Sequence, residues 1–352
     1  MKYKTKPNDM IKAAIVGATG YTGSELVRLL YNHPDVDIKM ITSESRKGEP
    51  FSAVHPQFSD IVEHELQPAA AVLEAELDVV FLALPHGVSM DYVQQYESTN
   101  FNIIDLSGDF RLSAPAVYED WYNKEHTYAV GFDRATYGLP ELHRDAIRQS
   151  SLVANPGCYP TSAILGLSPL VEADLIVPGQ IIVDAKSGIT GAGIKAKPTT
   201  HYSNVSDNFK AYGLKSHRHT VEIQEQLSGL HATPINVQFT PHLLPVDRGI
   251  LSTIYTQPQR ETSEAEIRKL YEDFYASHPF VRIRKTPPSL KDVRGSNYCD
   301  IFVTYDDRTN RIITLAVIDN LVKGAAGQAM QNMNLQFELE ETRGFVSLPL
   351  NP

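Results

Sequence analysis

Only two cysteines, Cys158 and Cys299, occur in the sequence. That excludes a disulfide framework and fits a reducing compartment. No apolar run approaches the roughly 20 residues of a membrane-spanning helix, so no membrane partner is expected. Positive charge is in the minority: 32 Lys and Arg against 42 Asp and Glu leave a net charge of −10. This argues against nucleic acid or an anionic membrane as a partner. Internal repeats, low-complexity tracts and flexible linkers are also missing. Met1–Asp9 carries three lysines, but the short apolar stretch Ile11–Ala18 runs straight into glycines. A strand is expected there rather than a signal peptide, and the cytoplasm is the expected location. What remains is an ordinary composition, 42% apolar and 21% charged over 352 residues. That length predicts two domains with ample core.

Ile11–Val16 reads as a buried strand and is followed by Gly17-Ala18-Thr19-Gly20-Tyr21-Thr22-Gly23. A helical run, Glu25–Tyr31, and a second strand, Ile38–Thr42, come next. Glycines at this spacing let a turn close and let backbone approach a pyrophosphate at a helix N-terminus. Gly17, Thr19, Gly20, Tyr21, Thr22 and Gly23 are therefore candidate cofactor contacts. An acid some 20 residues on would select NAD. Here the residues are Thr42-Ser43-Glu44-Ser45-Arg46-Lys47. Hydroxyls such as Ser43, with Arg46 and Lys47, suit a 2′-phosphate, which favours NADP; Glu44 is the discordant residue and keeps NAD open.

Two more buried strands, Leu77–Leu84 and Phe101–Leu106, end in Pro85-His86-Gly87 and in Ser107-Gly108-Asp109-Phe110-Arg111. Ligands collect at such strand ends in parallel sheets. Arg111 suits a phosphate or carboxylate clamp, with pairing to Asp109 or another acid as the structural alternative. Tyr137–Glu141 reads as an ordered turn.

The segment around Ala154-Asn155-Pro156-Gly157-Cys158-Tyr159-Pro160-Thr161 lies between a short apolar run, 151–154, and a helical pattern, Ala163–Leu170. Cys158 thus stands where strand or loop gives way to helix. Amides at a helix N-terminus favour negative charge, which suits a thiolate. Two flanking prolines and Gly157 fix the backbone there, which apolar packing alone does not require. A thiolate below neutral pH needs a second cation, and a histidine is the natural supplier.

Beyond Cys158, the strand Ile181–Ala185 ends in Lys186–Gly193, a Gly/Ser/Thr loop whose amides could serve an anion. Lys215–Glu222 contains His217 and His219. Thr220 is expected to cap a helix over Val221–Leu227, with both histidines before the cap. A histidine at a helix N-terminus stays neutral and serves as a base. No acid or cysteine cluster joins the pair, so a metal site is not expected. Strand-like runs at Pro234–Thr240, Ile250–Gln257, Tyr298–Tyr305 and Arg311–Val317, with a helix at Glu264–Ala276, predict an α+β domain on an antiparallel or mixed sheet. Cys299 reads as packing. Asp319–Gly327 leads into a helix over Gln328–Phe337, and Asn320 is placed to meet a ligand.

Together, Gly17–Gly23, Leu106–Arg111, Tyr137–Glu141, Asn155–Thr161, Ser187–Gly193, His217–Glu222, Gly295–Asp300 and Asp319–Gly327 resemble the N-acetyl-gamma-glutamyl-phosphate reductases and, more distantly, the aspartate-semialdehyde dehydrogenases. The resemblance covers almost the whole chain. Val221 stands where proline would be expected, and about nine extra residues precede the first strand. The resemblance implies a Rossmann-like dinucleotide-binding domain, residues 11–155 plus 319–352, with an inserted α+β catalytic domain, residues 156–318. It also implies NADPH-dependent reduction of an acyl phosphate, with release of inorganic phosphate, through a Cys158 thioester. His219 is the preferred proton carrier and His217 the substrate contact, although the two roles stay open. Ser187, Gly188 and Asn320 join the candidate cofactor contacts. Arg111, Asn155 and Glu222 are the candidate substrate contacts, and the Gly157–Tyr159 amides are candidates for an oxyanion. A homodimer or homotetramer is implied. The nearest rival reading is another acyl-phosphate reductase of the same superfamily, acting on aspartyl phosphate or an aminoadipate analogue with the same Cys158 chemistry. A rival of a different class, a redox sensor acting through Cys158, leaves the His and Ser/Gly segments without a role.

Overall fold

The computed structural model describes residues 10–351; the lysines of Met1–Asp9 lie outside the described residues. The chain forms two compact units. The first holds the described residues up to Pro156 plus Ala325–Val346; the second holds Gly157–Gly324 and the residues from Ser347 onward.

In the first unit, β1 (Ile11–Val16), α1 (Tyr21–Tyr31), β2 (Val36–Thr42), α2 (Phe51–Val54), β3 (Val79–Leu82), α3 (Ser89–Gln95), β4 (Asn102–Asp105), α4 (Pro115–Tyr122), α5 (Gly131–Arg134), β5 (Ala135–Tyr137), α6 (Pro140–Gln149) and β6 (Leu152–Ala154) succeed one another. Among the described residues their strands make one parallel sheet, ordered β2-β1-β3-β4-β6-β5. Every residue of β3 is buried, as expected for a strand covered on both faces. β1 has β2 on one side and β3 on the other, so the winding reverses beside it. Ligands bind such sheets at that switch point, beyond the carboxyl ends of the strands. This is the Rossmann-like arrangement.

The second unit contains α7 (Cys158–Glu172), β7 (Ile181–Ser187), α8 (Tyr202–Val205), β8 (Lys210–Ala211), α9 (His219–Ser228), β9 (Val237–Leu243), β10 (Ile250–Thr256), α10 (Glu264–Phe274), β11 (Val281–Ile283), β12 (Cys299–Asp306) and β13 (Arg311–Ile318). Its sheet is mixed, ordered β11-β12-β13-β10-β7-β9-β8 among the described residues. Helix α7 is buried at every position from Tyr159 to Val171; most of these residues are apolar, and the hydroxyls of Thr161, Ser162 and Ser168 are hydrogen-bonded. Gly166 lets it lie close on the sheet, since a Cβ there would sit 2.7 Å from Ile254 Cδ1. Pro169 inside this helix removes the amide that would pair with the Leu165 carbonyl. The Tyr275 hydroxyl donates to that carbonyl instead, at 2.5 Å, and the Tyr271 hydroxyl donates to Gly166 at 2.6 Å.

The last helix, α11 (Gly327–Gln336), belongs to the first unit and is buried despite its Gln and Asn content. Its polar side chains find partners: the Asn332 amide donates to the Gly138 carbonyl and to Asn155 Oδ1, and the Asn334 amide donates to the Glu341 and Arg343 carbonyls.

Several local expectations need correction. Helix α9 starts at His219, not after a Thr220 cap; its cap position is Arg218, which makes no side-chain cap bond. Strand β9 runs on through Pro241 to Leu243. The proline is tolerated because only the two-residue edge strand β8 flanks that side. Helices α3, α4 and α6 had no counterpart in the sequence reading. Pro115 and Pro140, each at a first helical turn, were the available signals for the latter two.

Candidate active site

Cys158 is the first residue of α7 and is partly accessible, whereas Cys299 is buried in β12. The residue before it, Gly157, caps the helix in an extended conformation. Its amide donates to Glu222 Oε1 at 2.8 Å. Glu222 lies in the first turn of α9, so its carboxylate ties the starts of the two helices together. The His219 ring lies directly on Gly157: a Cβ there would fall 2.5 Å from His219 Nε2. The glycine is what allows imidazole and cysteine loop to meet. With the Gly157 amide engaged by Glu222, the amides of Cys158 and Tyr159 remain as oxyanion candidates.

His217 has a different setting. Its ring is packed among Tyr159, Tyr212, Phe239 and His219, with centroids 4.8–5.7 Å apart. Burial, and then the Arg218 charge, hold its pKa down at about 4. Its Nδ1 accepts the His219 amide proton at 3.2 Å, so the neutral ring carries its proton on Nε2. Beside it, the Tyr212 hydroxyl donates to Tyr159 Oη at 3.2 Å, and Tyr159 donates to the His242 carbonyl at 3.0 Å. This tyrosine pair was not singled out from the sequence.

The loop after β7 corrects an expectation. The amides of Gly188, Ile189 and Thr190 donate to carbonyls of Gly249, Val246 and Asp247, and those of Gly191 and Gly193 bond within the loop. They do not form a cradle for an anion. Gly188 is needed for contact, since a Cβ would lie 2.7 Å from the Asp247 carbonyl. The Ser187 hydroxyl donates to the Gly188 carbonyl. Asn320 accepts from the Gly249 amide at 2.7 Å and donates to Thr190 Oγ1 at 3.0 Å. Its side chain serves this fold-internal knot.

In the first unit the glycine turn stands at the switch point. Gly17 has φ +88°, and a Cβ there would lie 2.5 Å from the Ala83 carbonyl beyond β3. Gly23 brings α1 against the turn, since a Cβ would lie 2.7 Å from Ala18 Cα. Gly20 caps α1, and no acid occupies the first turn, where Tyr21 and Thr22 lie. Thr19 Oγ1 and Ser43 Oγ are 3.4 Å apart. Such a cradle, which side chains would fill, fits a dinucleotide phosphate. Glu44 Oε1 accepts the Ala69 amide, which ties down the discordant acid. Arg46 lies at the surface in an ion pair with Glu49 at 2.8 Å. His55, buried beside the carbonyls of Ala18 and Thr19 with its pKa lowered by burial, was missed from the sequence.

Arg111 and Asn155 are buried in the same unit. Arg111 donates to the carbonyls of Asn155, at 2.7 Å, and Leu106, at 2.8 Å, rather than pairing with Asp109. Asn155 donates to the Ala325 carbonyl and accepts from Asn332. Asp109 accepts from the Gly87 and Met90 amides, shaping the loop after β3. Neighbouring Asp105 has its pKa pushed up to about 6 by burial and by the Asp109 charge. Among the described residues no group of His, Cys, Asp and Glu is arranged to hold a metal ion, and no helix is long and apolar enough to cross a membrane.

The model of the semialdehyde dehydrogenase NAD-binding domain matches residues 12–150, and that of the semialdehyde dehydrogenase dimerisation domain matches residues 158–320. The fold is similar to aspartate semialdehyde dehydrogenase II of Vibrio cholerae complexed with ASA, with TM-score 0.70 and 17% identity over 94% of this chain and 98% of that one. It is also similar to aspartate semialdehyde dehydrogenase with NADP from Candida albicans, with TM-score 0.67 and 16% identity over 93% and 98%. Fold and domain matches together define a semialdehyde dehydrogenase-type oxidoreductase with a nicotinamide-dinucleotide domain. Among curated relatives, the N-acetyl-gamma-glutamyl-phosphate reductase of Desulforudis audaxviator is 50% identical over 97% of this chain and its own full length; that of Geobacter metallireducens is 49% identical over the same shares. The chain belongs to the N-acetyl-gamma-glutamyl-phosphate reductase family.

Proposed function

We propose that the protein catalyses NADPH-dependent reductive dephosphorylation of N-acetyl-L-glutamyl 5-phosphate to N-acetyl-L-glutamate 5-semialdehyde, a step of arginine biosynthesis, in the cytoplasm. The observation that carries this reading is Cys158 at the start of the buried helix α7, with the His219 imidazole lying on Gly157. The Cys158 thiolate attacks the acyl carbon and phosphate leaves, giving a thioester. His219 takes the thiol proton and gives it to the departing phosphate. NADPH, when bound along the Gly17–Gly23 turn, supplies the hydride that brings the acyl carbon to the aldehyde level. The Cys158 and Tyr159 amides hold the negative oxygen, and Cys158 is released as thiolate when the aldehyde departs. His217, neutral at pH 7, orients His219 through the bond from its amide. The engaged Glu44 supports NADP over NAD.

The same reading makes the chain a homo-oligomer. Ile182 and Tyr255, opposite one another on β7 and β10 and exposed on the uncovered sheet face, support contact with a second copy. The test is oxidation of N-acetylglutamate 5-semialdehyde with phosphate, run with NADP and NAD, with aspartate semialdehyde in parallel, and with Cys158→Ala. Strong NADP-linked turnover of the acetylated aldehyde, lost in Cys158→Ala, is expected. Full turnover by Cys158→Ala refutes the thioester route, and activity on another aldehyde alone changes the substrate.

A further inference from the structure

Asp319, the residue after β13, has a fully buried carboxylate that gathers donors from several segments of the second unit. Oδ1 accepts the amides of Leu321 at 2.9 Å and Val322 at 3.2 Å, and Arg248 Nη2 at 3.1 Å. Oδ2 accepts the Gly295 amide at 2.7 Å and lies 3.1 Å from Arg248 Nε. The Asp319 carbonyl accepts the Gly324 amide at 3.0 Å. These bonds wind the chain into a wide π-helical turn, Val322–Ala326, of a kind that is rare and often placed at functional sites. The turn ends its contacts in this unit against the nucleophile. A Cβ on Gly324 would lie 2.8 Å from Cys158 Cβ, 3.2 Å from Cys158 Cα and 3.3 Å from Ile318 Cδ1. Two residues without side chains therefore border Cys158, with Gly157 serving the His219 ring and Gly324 serving the cysteine itself.

We propose that Gly324, held in place by the Asp319–Arg248 turn, is a positioning residue that sets where the Cys158 thiol stands. This rests on the reading of Cys158 as the nucleophile. A methyl at Gly324 has to move the backbone of one partner, because it meets Cα and Cβ rather than the end of a flexible side chain. A nucleophile displaced by a fraction of an ångström loses rate without losing substrate affinity.

The experiment is Gly324→Ala, compared with the wild-type protein and with Gly179→Ala, where a Cβ meets nothing within 4 Å. The readouts are kcat, KM, melting temperature and the rate of Cys158 alkylation by iodoacetamide, with Cys158→Ala as the blank for Cys299. The expected result is kcat lower by about tenfold or more, KM within about threefold, alkylation slower by about threefold or more, and Gly179→Ala unchanged. A folded Gly324→Ala protein whose alkylation rate matches the wild type overturns the proposal, whatever its kcat. Should Gly324→Ala not fold, Arg248→Gln loosens the same turn without adding an atom near Cys158. Slower alkylation there supports the proposal, and an unchanged rate overturns it. Turnover that survives Cys158→Ala strikes instead at the nucleophile reading, so the two failures are told apart.

Discussion

Helices α1 and α7 each follow a buried parallel strand of the chain, and each is capped by an extended glycine, Gly20 or Gly157, without a side-chain cap. What meets the two N-termini differs. At α1 the first turn holds no acid, and the surrounding glycines clear space over the backbone. At α7 a carboxylate from the same unit, Glu222, takes the Gly157 amide, and the His219 ring fills the space over that glycine. One start is shaped to receive charge from outside the chain. The other is already furnished with charge and carries a partly accessible thiol. The same local grammar thus leaves one helix start open and the other furnished, the contrast on which the proposed division into a binding end and a chemical end rests.

This contrast breaks if the imidazole over Gly157 is dispensable. His219→Gln is expected to lower kcat by about 10²–10³-fold with little change in the cofactor KM, read by steady-state kinetics. A loss of only a few-fold removes His219 from proton transfer.

The dryness of the α7 end is measurable through His217. Its folded pKa of about 4 lies below the ordinary 6.5, so between those values the unfolded chain binds the extra proton. Its contribution to stability is therefore fully present above pH 6.5 and declines as pH falls toward 4. Between pH 7 and pH 4 the wild-type protein should lose about 2–3 kcal/mol more stability than His217→Gln, read by urea unfolding. Parallel losses in the two proteins would mean that the ring is not held neutral.

At the α1 end, Gly23→Ala pushes a methyl into the Ala18 backbone. NADPH binding should weaken by about tenfold, while iodoacetamide modification of Cys158 keeps its rate, because only the receiving end is disturbed. Equal damage to both would erase the distinction between the two helix starts.

The two glycine-capped starts were legible because their signals are local: glycines, prolines and one cysteine within a few residues of a strand end. The alternation of strand and helix in the first half, and the run of strands in the second, likewise predicted both sheets. Partners distant in the chain were not legible. Whether the amides after β7 face a ligand or Val246–Gly249 depends on a segment some sixty residues away. Nor were the bonds of Asn320 to Gly249 and Thr190 legible, for the same reason. The sequence prefers His219 as the proton carrier but leaves the roles of His217 and His219 open. The rings of Tyr212 and Phe239 enclose His217, while Tyr159 touches both histidines and Gly157 lies under His219.

The proline in α7 carries a consequence for how the helix is held. Pro169 strips one rung from the helical ladder, and Tyr275 and Tyr271 supply hydroxyls to the carbonyls of Leu165 and Gly166. Between its polar N-terminal turn, where Ser162 and Ser252 share a hydroxyl bond, and Pro169, the helix offers its surround mostly apolar side chains, which resist small rotations and axial slips only weakly. Two oriented hydroxyls at one point along it act as an index pin. They fix the helix's angle and its depth together, so the far tip, where Cys158 sits, points in one direction only.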